Sequence, residues 1–317
     1  MSTGRILLTG ATGFIGSTVL QELTRTTDAP VRALVRRPVA TSPGPAPEYV
    51  HGDLTAPDSL RGLCTGVDTV LHLASYVGSD EDTCKAVNAA GTRALLAEAR
   101  RAGVRRILYA GTTAVLGAGP HRGLAEDAPA RPVSPASRTR LAAEQAVLAA
   151  GGTVLRPPLV YGRGDTWVVP AIAELTERVP ALIDGGRALL SLVAVDDLAR
   201  LVVAVAGSDA VPAGVHHAAH PEPVAFRDLL DALVTHAGLR PPVDDLSQEE
   251  YLARLRRTSG RVSEHQVSLI AADRWYASRR IWELAGCAPG PGLRIAEHAD
   301  WYRAHLAGRA RPYGNAA

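Results

Sequence analysis

The stretch "LLTGATGFIG", residues 7–16, decides how the rest of the chain is read. A short apolar run enters a turn carrying Gly10, Gly13 and Gly16, and a helical pattern leaves it. Glycine at these places allows a tight turn, close approach of the backbone to a pyrophosphate, and close helix–sheet contact. The helix start offers free N–H groups and the positive end of its dipole to phosphate. "RILLTG" (5–10) reads as a buried strand and Phe14 to Thr24 as the helix after it. This is the first strand-to-helix turn of the chain, where a dinucleotide-binding unit carries its phosphate site. Gly10, Thr12, Gly13, Phe14, Ile15 and Gly16 are therefore candidate cofactor contacts.

Outward from this turn, short apolar runs alternate with helical patterns. "VRALVR" (31–36) is a second strand, followed by a proline-rich loop, "PVATSPGPAPEYV" (38–50). "VDTVLHLAS" (67–75), "RRILYAGTT" (105–113) and "GTVLRPPLVYG" (152–162) read as further strands, with a long helix at "NAAGTRALLAEARRAG" (88–103). Strands separated by helices imply a parallel sheet with right-handed crossovers, hence an α/β, doubly wound Rossmann-type fold. The pattern predicts a dinucleotide-binding domain over residues 1–165, with 189–222 returning to it. Residues 166–188 and 223–317 are expected to form a smaller, mostly helical substrate-binding subdomain, with the stretch from Pro241 onward helical and charge-dense.

The second strand bears on the choice of cofactor. An acidic residue at its end would hold the ribose 2′-hydroxyl of NAD, but this strand ends "LVRR". Arg36, with Arg37 behind it, can donate a fork of hydrogen bonds to a 2′-phosphate, which favours NADP(H) over NAD(H). A net charge of +2 gives no electrostatic reason to expect a nucleic acid partner. The basic stretch "ARLRRTSGR" (253–261) follows acidic "DDLSQEE" and reads as a solvated helix face and loop. Cys64, Cys84 and Cys287 lie far apart without metal-ligand spacing and are expected to be reduced, packed thiols. No apolar run approaches the roughly 18 residues of a membrane span, and no export signal is evident, so a cytoplasmic protein acting on a small molecule is expected.

With these pieces in place, the chain resembles the extended short-chain dehydrogenase/reductase family, which includes nucleotide-sugar epimerases and dehydratases. The resemblance runs through "TGATGFIG", "GDLT" (52–55), "LHLAS" (71–75), "VNAAGT" (87–92), "YAGTTAVLG" (109–117), "LRPPLVYGRGD" (155–165) and "VAVDDLARLVV" (193–203). It implies that Asp53 and Leu54 sit at the adenine, Ala74 and Ser75 near the ribose and phosphates, and Pro157 and Val160 at the nicotinamide carboxamide. Asn88 matches an asparagine that bends the neighbouring helix. Thr112 falls where the family keeps a Ser or Thr bonded to the reacting oxygen. Some members dimerise through the helices around residues 90–102 and 136–150, so a homodimer is an option.

The family's catalytic helix carries Tyr and Lys four residues apart, which places both on one face. Glu144 fixes the register here, and counting back gives Arg140 for the lysine and Ala136 for the tyrosine. Arg140 can still bond ribose hydroxyls, but with a pKa above about 12 it is no acid or base. Three explanations compete. A reductase remains, whose substrate or a water supplies the proton, as a ketone beside a phenol would; atypical reductases of the angucyclinone type resemble this case. Alternatively Thr112, Thr113, Ser137, Tyr76, Tyr161 or His121 does the acid work. In the third, catalysis is lost and the chain is an NADPH-binding sensor or scaffold. The first leads to an NADPH-dependent ketoreductase on a hydroxylated, aromatic polyketide-like substrate, with Thr112 on the carbonyl oxygen and Arg140 on the ribose. "HHAAH" (216–220) resembles a metal cluster but lacks acidic or cysteine partners, so packing is expected. Trp275, Tyr276, Trp282, Trp301 and Tyr302 are expected to form subdomain core, some of them lining a pocket.

Overall fold

The computed structural model describes residues 4–39 and 47–309. Seven parallel strands make the central sheet: β1 (Arg5–Thr9), β2 (Val31–Val35), β3 (Glu48–His51), β4 (Val67–His72), β5 (Arg106–Ala110), β6 (Thr153–Arg156) and β7 (Gly214–His217). Their spatial order is β7-β6-β5-β4-β1-β2-β3. The direction of winding reverses between β1 and β4, and in such sheets a crevice opens beyond the carboxyl ends of the strands at that point. Helices cover both faces, which is why the inner strands read as continuous apolar runs instead of alternating. On one face Val19 and Leu23 of the helix Phe14–Thr26 pack with Leu198, Val202 and Val205 of the helix Val195–Gly207. On the other, Leu95 and Ala99 pack over Leu7 and Val70.

Three readings of the sequence are corrected here. The end of the proline-rich loop is a strand, β3, on the sheet edge, while residues 40–46 lie outside the described residues. The single strand foreseen over 152–162 breaks at Pro157–Pro158, which lack ladder N–H groups. Leu159–Tyr161 then leaves the sheet to pair in parallel with Leu192–Ala194. The helix foreseen from residue 88 starts at Glu81 and passes through a π-helical segment, Lys85–Gly91, before continuing as Thr92–Arg101.

Beyond the sheet a second core gathers Val169, Ile172 and Leu175 of the helix Val168–Arg178 with Leu229, Leu233, Tyr251 and Tyr302. This region is less helical than its sequence suggests, since Asp244–Leu246 and Arg274–Tyr276 are strands. The late aromatic residues do not share one core. Tyr302 belongs to this cluster, Trp282 packs with the sheet-covering helices, and Tyr276 packs with Val115 and Leu116. No helix among the described residues is long and apolar enough to cross a membrane.

Candidate active site

The glycine turn leaves β1 at the reversal point, facing the loop that leaves β4. Gly10 has φ +76°, and a Cβ there would lie 2.7 Å from the backbone nitrogen of Ala74. A Cβ on Gly16 would lie 2.0 Å from the Gly10 carbonyl oxygen, so the helix start can sit on the turn only without a side chain. Gly13 differs. It is exposed, and its Cβ would meet nothing closer than the Gly10 carbonyl oxygen at 3.3 Å. A Cβ at 13 would thus be a tight contact that a small shift of the turn could relieve, on an exposed face open to something outside the chain. Thr12 is exposed beside it, Phe14 and Ile15 are half-buried, and the Phe14 ring lies against Gly164.

A buried hydrogen-bond chain ties the turn to its surroundings. The Ala74 N–H donates to Thr9 Oγ1 (3.2 Å), and Thr9 Oγ1 lies 2.7 Å from His72 Nδ1. His72 Nε2 lies 2.8 Å from Thr92 Oγ1, whose own hydrogen goes to the Asn88 carbonyl (2.5 Å). That last bond makes Thr92 an acceptor from His72, so Nε2 carries the hydrogen and Nδ1 accepts from Thr9. Every donor then has one acceptor, provided His72 is neutral. Burial pushes its pKa down to about 4, in keeping with this arrangement. Sequence reasoning missed the chain; the only signal was a histidine inside a buried strand.

Asn88, buried within the π-helical segment, accepts from the Tyr76 N–H (2.7 Å) and donates to the Tyr76 carbonyl (2.9 Å) and Thr139 Oγ1 (3.1 Å). It clamps the loop holding Ala74, half-buried Ser75 and Tyr76 to the helix Pro135–Ala149. The guanidinium groups of Arg36 and Arg37 are exposed and make no hydrogen bond or ion pair among the described residues. Asp53 stands near Arg36; bonds from Thr55 and the charge of Arg36 hold its carboxyl below the ordinary range. Leu54 is buried, and a Cβ added to Gly91 would lie 2.7 Å from the Leu54 Cβ.

At the end of β5, Thr112 caps the short 3₁₀ turn Thr113–Leu116, its Oγ1 accepting from the Ala114 N–H (3.1 Å). Its hydroxyl hydrogen has no acceptor among the described residues and is free to donate outward. Ser134 and Ser137 close a capping box around the start of the helix Pro135–Ala149, so Ala136 stands in its first turn. Arg140, expected from the family pattern to reach a ribose, is turned onto the sheet. Its Nη2 donates to the carbonyls of Gly111 (2.5 Å) and Ala110 (3.1 Å), making it a strut between helix and β5. Glu144 and Arg156, both buried, form a two-pronged ion pair with Nε to Oε2 at 3.0 Å.

The alternative acids are mostly occupied elsewhere. Ser137 is buried and committed to the cap. Tyr161 accepts from the Arg294 N–H (2.9 Å), and burial pushes its pKa up to about 12. His121 and Thr113 are buried, His121 against the Tyr276 hydroxyl (3.2 Å). Only Thr112 and Tyr76 of that group are half-exposed. The Pro157 carbonyl accepts from the Thr113 N–H (3.1 Å), and Val160 is buried in the core with Val193 and Leu198, where packing accounts for it. The histidines of "HHAAH" have protein partners: His216 the Pro212 carbonyl, His217 the Ala277 carbonyl, His220 that of Gly290.

The model of the NAD dependent epimerase/dehydratase family matches residues 6–216. The chain belongs to that family. A nicotinamide dinucleotide is thereby its cofactor class, and the open Gly13, Arg36 near Asp53 and the Ala74 loop form a cradle that fits one. Within the family, the chain is 34% identical to the sterol demethylase protein B of Methylococcus capsulatus over half of its own length and 52% of that protein's. It is 30% identical to the 4-hydroxy-2-methyl-3-oxo-4-farnesyl-3,4-dihydroquinoline-1-oxide ketoreductase of Stigmatella aurantiaca, over 76% of both chains. Among solved structures, a short-chain dehydrogenase/reductase superfamily protein of Agrobacterium tumefaciens with bound NAD superimposes with a TM-score of 0.74 at 25% identity, covering 97% of this chain and 100% of that one.

Proposed function

We propose that this family member is an NADPH-dependent ketone reductase acting on a hydroxylated, aromatic polyketide-like carbonyl compound. The observation that carries the reading is the end of β5. Thr112 there has a free hydroxyl hydrogen, while the neighbouring helix position that holds a phenol in the family is Ala136. Such a site can polarise a carbonyl but has no base to deprotonate an alcohol, which favours reduction over epimerisation. The reading gains support from the relative of Stigmatella aurantiaca, a ketoreductase whose name gives a hydroxylated dihydroquinoline ketone.

When bound, a reduced nicotinamide supplies hydride. Gly10, Gly13 and the N–H groups of the helix start hold the pyrophosphate, and Arg36 and Arg37 hold the 2′-phosphate that distinguishes NADPH. Thr112 donates to the substrate oxygen and steadies its developing negative charge. Arg140 fixes the separation between the helix and β5, so that Thr112 and the Ala136 gap keep their spacing. The proton comes from a phenol on the substrate or from water. A lost general acid typically costs a hundredfold to ten-thousandfold, which a substrate carrying its own hydrogen-bonded proton offsets.

The test is NADPH and NADH oxidation against hydroxylated aromatic ketones and nucleotide sugars. Turnover of the ketones, faster with NADPH, is expected. Thr112→Ala is expected to lower kcat by about a hundredfold or more with the Kd for NADPH unchanged. Cofactor binding without turnover of any carbonyl compound would overturn the reading in favour of a sensor.

A further inference from the structure

Arg36 stands one residue beyond the last paired position of β2 and β3. The ladder ends by pairing Val35 with His51, and the Gly52 N–H donates to the Val35 carbonyl (3.1 Å). The next carbonyl, that of Arg36, is taken by the His51 ring, with Nε2 at 3.0 Å. A carbonyl only accepts, so Nε2 carries the hydrogen and His51 is the donor. A side chain thus extends the pairing of the two strands by one residue, to the position from which the Arg36 guanidinium leaves the sheet.

The backbone from which His51 reaches is itself fixed. A Cβ on Gly52 would lie 2.9 Å from Leu34 Cδ1 and 3.0 Å from the Ser59 carbonyl oxygen, so the end of β3 fits closely between β2 and the following turn. The Asp53 N–H donates to Ser59 Oγ (2.9 Å). The Asp53 carboxylate, the acid near Arg36, is engaged elsewhere: its Oδ1 accepts from the N–H and the hydroxyl of Thr55 (2.8 Å each). Those bonds, and after them the charges of Arg36 and His51, hold the Asp53 carboxyl below the ordinary range, so the three residues stand close together. Arg36 forms no ion pair with Asp53, and its exposed guanidinium has no partner among the described residues.

We propose that His51 is a positioning residue for cofactor choice: its bond to the Arg36 carbonyl aims the Arg36 guanidinium at the 2′-phosphate of NADP(H). The inference rests on the NADPH reading for the identity of that phosphate, and goes beyond it by placing selectivity on a residue of the neighbouring strand. An arginine side chain is long and flexible, so ordering it against a phosphate costs entropy. Fixing the backbone from which it leaves removes part of that cost before the cofactor arrives. The 2′-hydroxyl of NADH offers the guanidinium no charge, so the same tie contributes little to NADH binding.

The test titrates NADPH and NADH into the wild type, His51→Ala, His51→Gln, Arg36→Ala and the double variant of His51→Ala with Arg36→Ala. The wild type is expected to prefer NADPH. In His51→Ala the Kd for NADPH should rise about fivefold or more, while that for NADH stays within about twofold. A glutamine amide reaches about as far as Nε2 and donates the same bond, so His51→Gln should keep NADPH affinity within about twofold. Once Arg36 is alanine, adding His51→Ala should weaken NADPH by less than about twofold, since no guanidinium remains to be aimed. A smaller loss in His51→Ala, an equal loss of NADH affinity, no recovery in His51→Gln, or an undiminished further loss in the double variant would each overturn the positioning role. Equal wild-type affinity for the two cofactors would overturn the NADPH reading together with this role, whereas a preference that survives His51→Ala removes the role of His51 alone.

Discussion

Gly13 and Gly16 look alike in the sequence and do different work in the structure. At Gly16 an added Cβ would have to share space with the Gly10 carbonyl at 2.0 Å, and no flexible group is there to yield. Gly16→Ala is expected to lower the thermal midpoint by several degrees or prevent folding, whatever the cofactor does. At Gly13 the same carbonyl oxygen would lie 3.3 Å from the Cβ, a tight contact that a shift of a few tenths of an ångström relieves, and the surface is open. Gly13→Ala should therefore keep its thermal midpoint within about two degrees while weakening NADPH binding roughly tenfold or more, because the pyrophosphate has to approach where the methyl now stands. Calorimetry and a cofactor titration on both variants separate the two roles; equal loss of stability in both would refute the distinction.

The helix Pro135–Ala149 is placed by three side-chain ties: Thr139 to Asn88, Arg140 to the end of β5, and Glu144 to Arg156 on β6. The last is buried on both sides, with side chains 2% and 5% exposed. Removing one member of such a pair leaves an uncompensated charge in the interior, at a cost of about 3–5 kcal/mol, while replacing both with apolar groups often costs little. Glu144→Leu is expected to destabilise the protein by about that amount, and Glu144→Leu with Arg156→Leu to recover much of it. Urea denaturation of the two single variants and the double variant checks this; simple additivity of the losses would show that the pair contributes through packing alone. The ties also explain how the helix keeps its place in a chain without the usual catalytic side chains.

At the scale of the whole molecule, two neutral histidines buried in different parts of the fold make stability depend on pH. Burial brings both His72, between β1 and the π-helical segment, and His217, at the end of β7, down to about 4 from an ordinary value of 6.5. The unfolded chain binds protons on these residues that the folded chain refuses, so it gains on acidification. Their contribution is complete above pH 6.5 and is lost as pH falls from 6.5 to 4. At pH 5 the loss amounts to about 2 kcal/mol for each. Urea midpoints should drop clearly between pH 7 and pH 5, and a flat profile over that interval would contradict the buried, neutral assignment. The hydrogen directions through Thr9, His72 and Thr92 tie this acid sensitivity to the loop facing the glycine turn.

Local chemistry was enough to read the parallel sheet, the glycine turn and the absence of a phenol at Ala136 directly from the chain. Each depends on neighbours in sequence: apolar runs that bury both faces of a strand, glycines at a strand-to-helix junction, a helix whose register Glu144 fixes. Contacts between distant segments decided the rest. The π-helical segment, the break at Pro157–Pro158, the strut made by Arg140, the histidine hydrogen-bond chain and the burial of Val160 all depend on what lies opposite a residue once the strands have come together. Thr112 shows both sides of this division. Its position at the end of a buried run was plain in the sequence, but the folded turn decides that its oxygen accepts from the Ala114 N–H while its hydrogen meets no acceptor among the described residues.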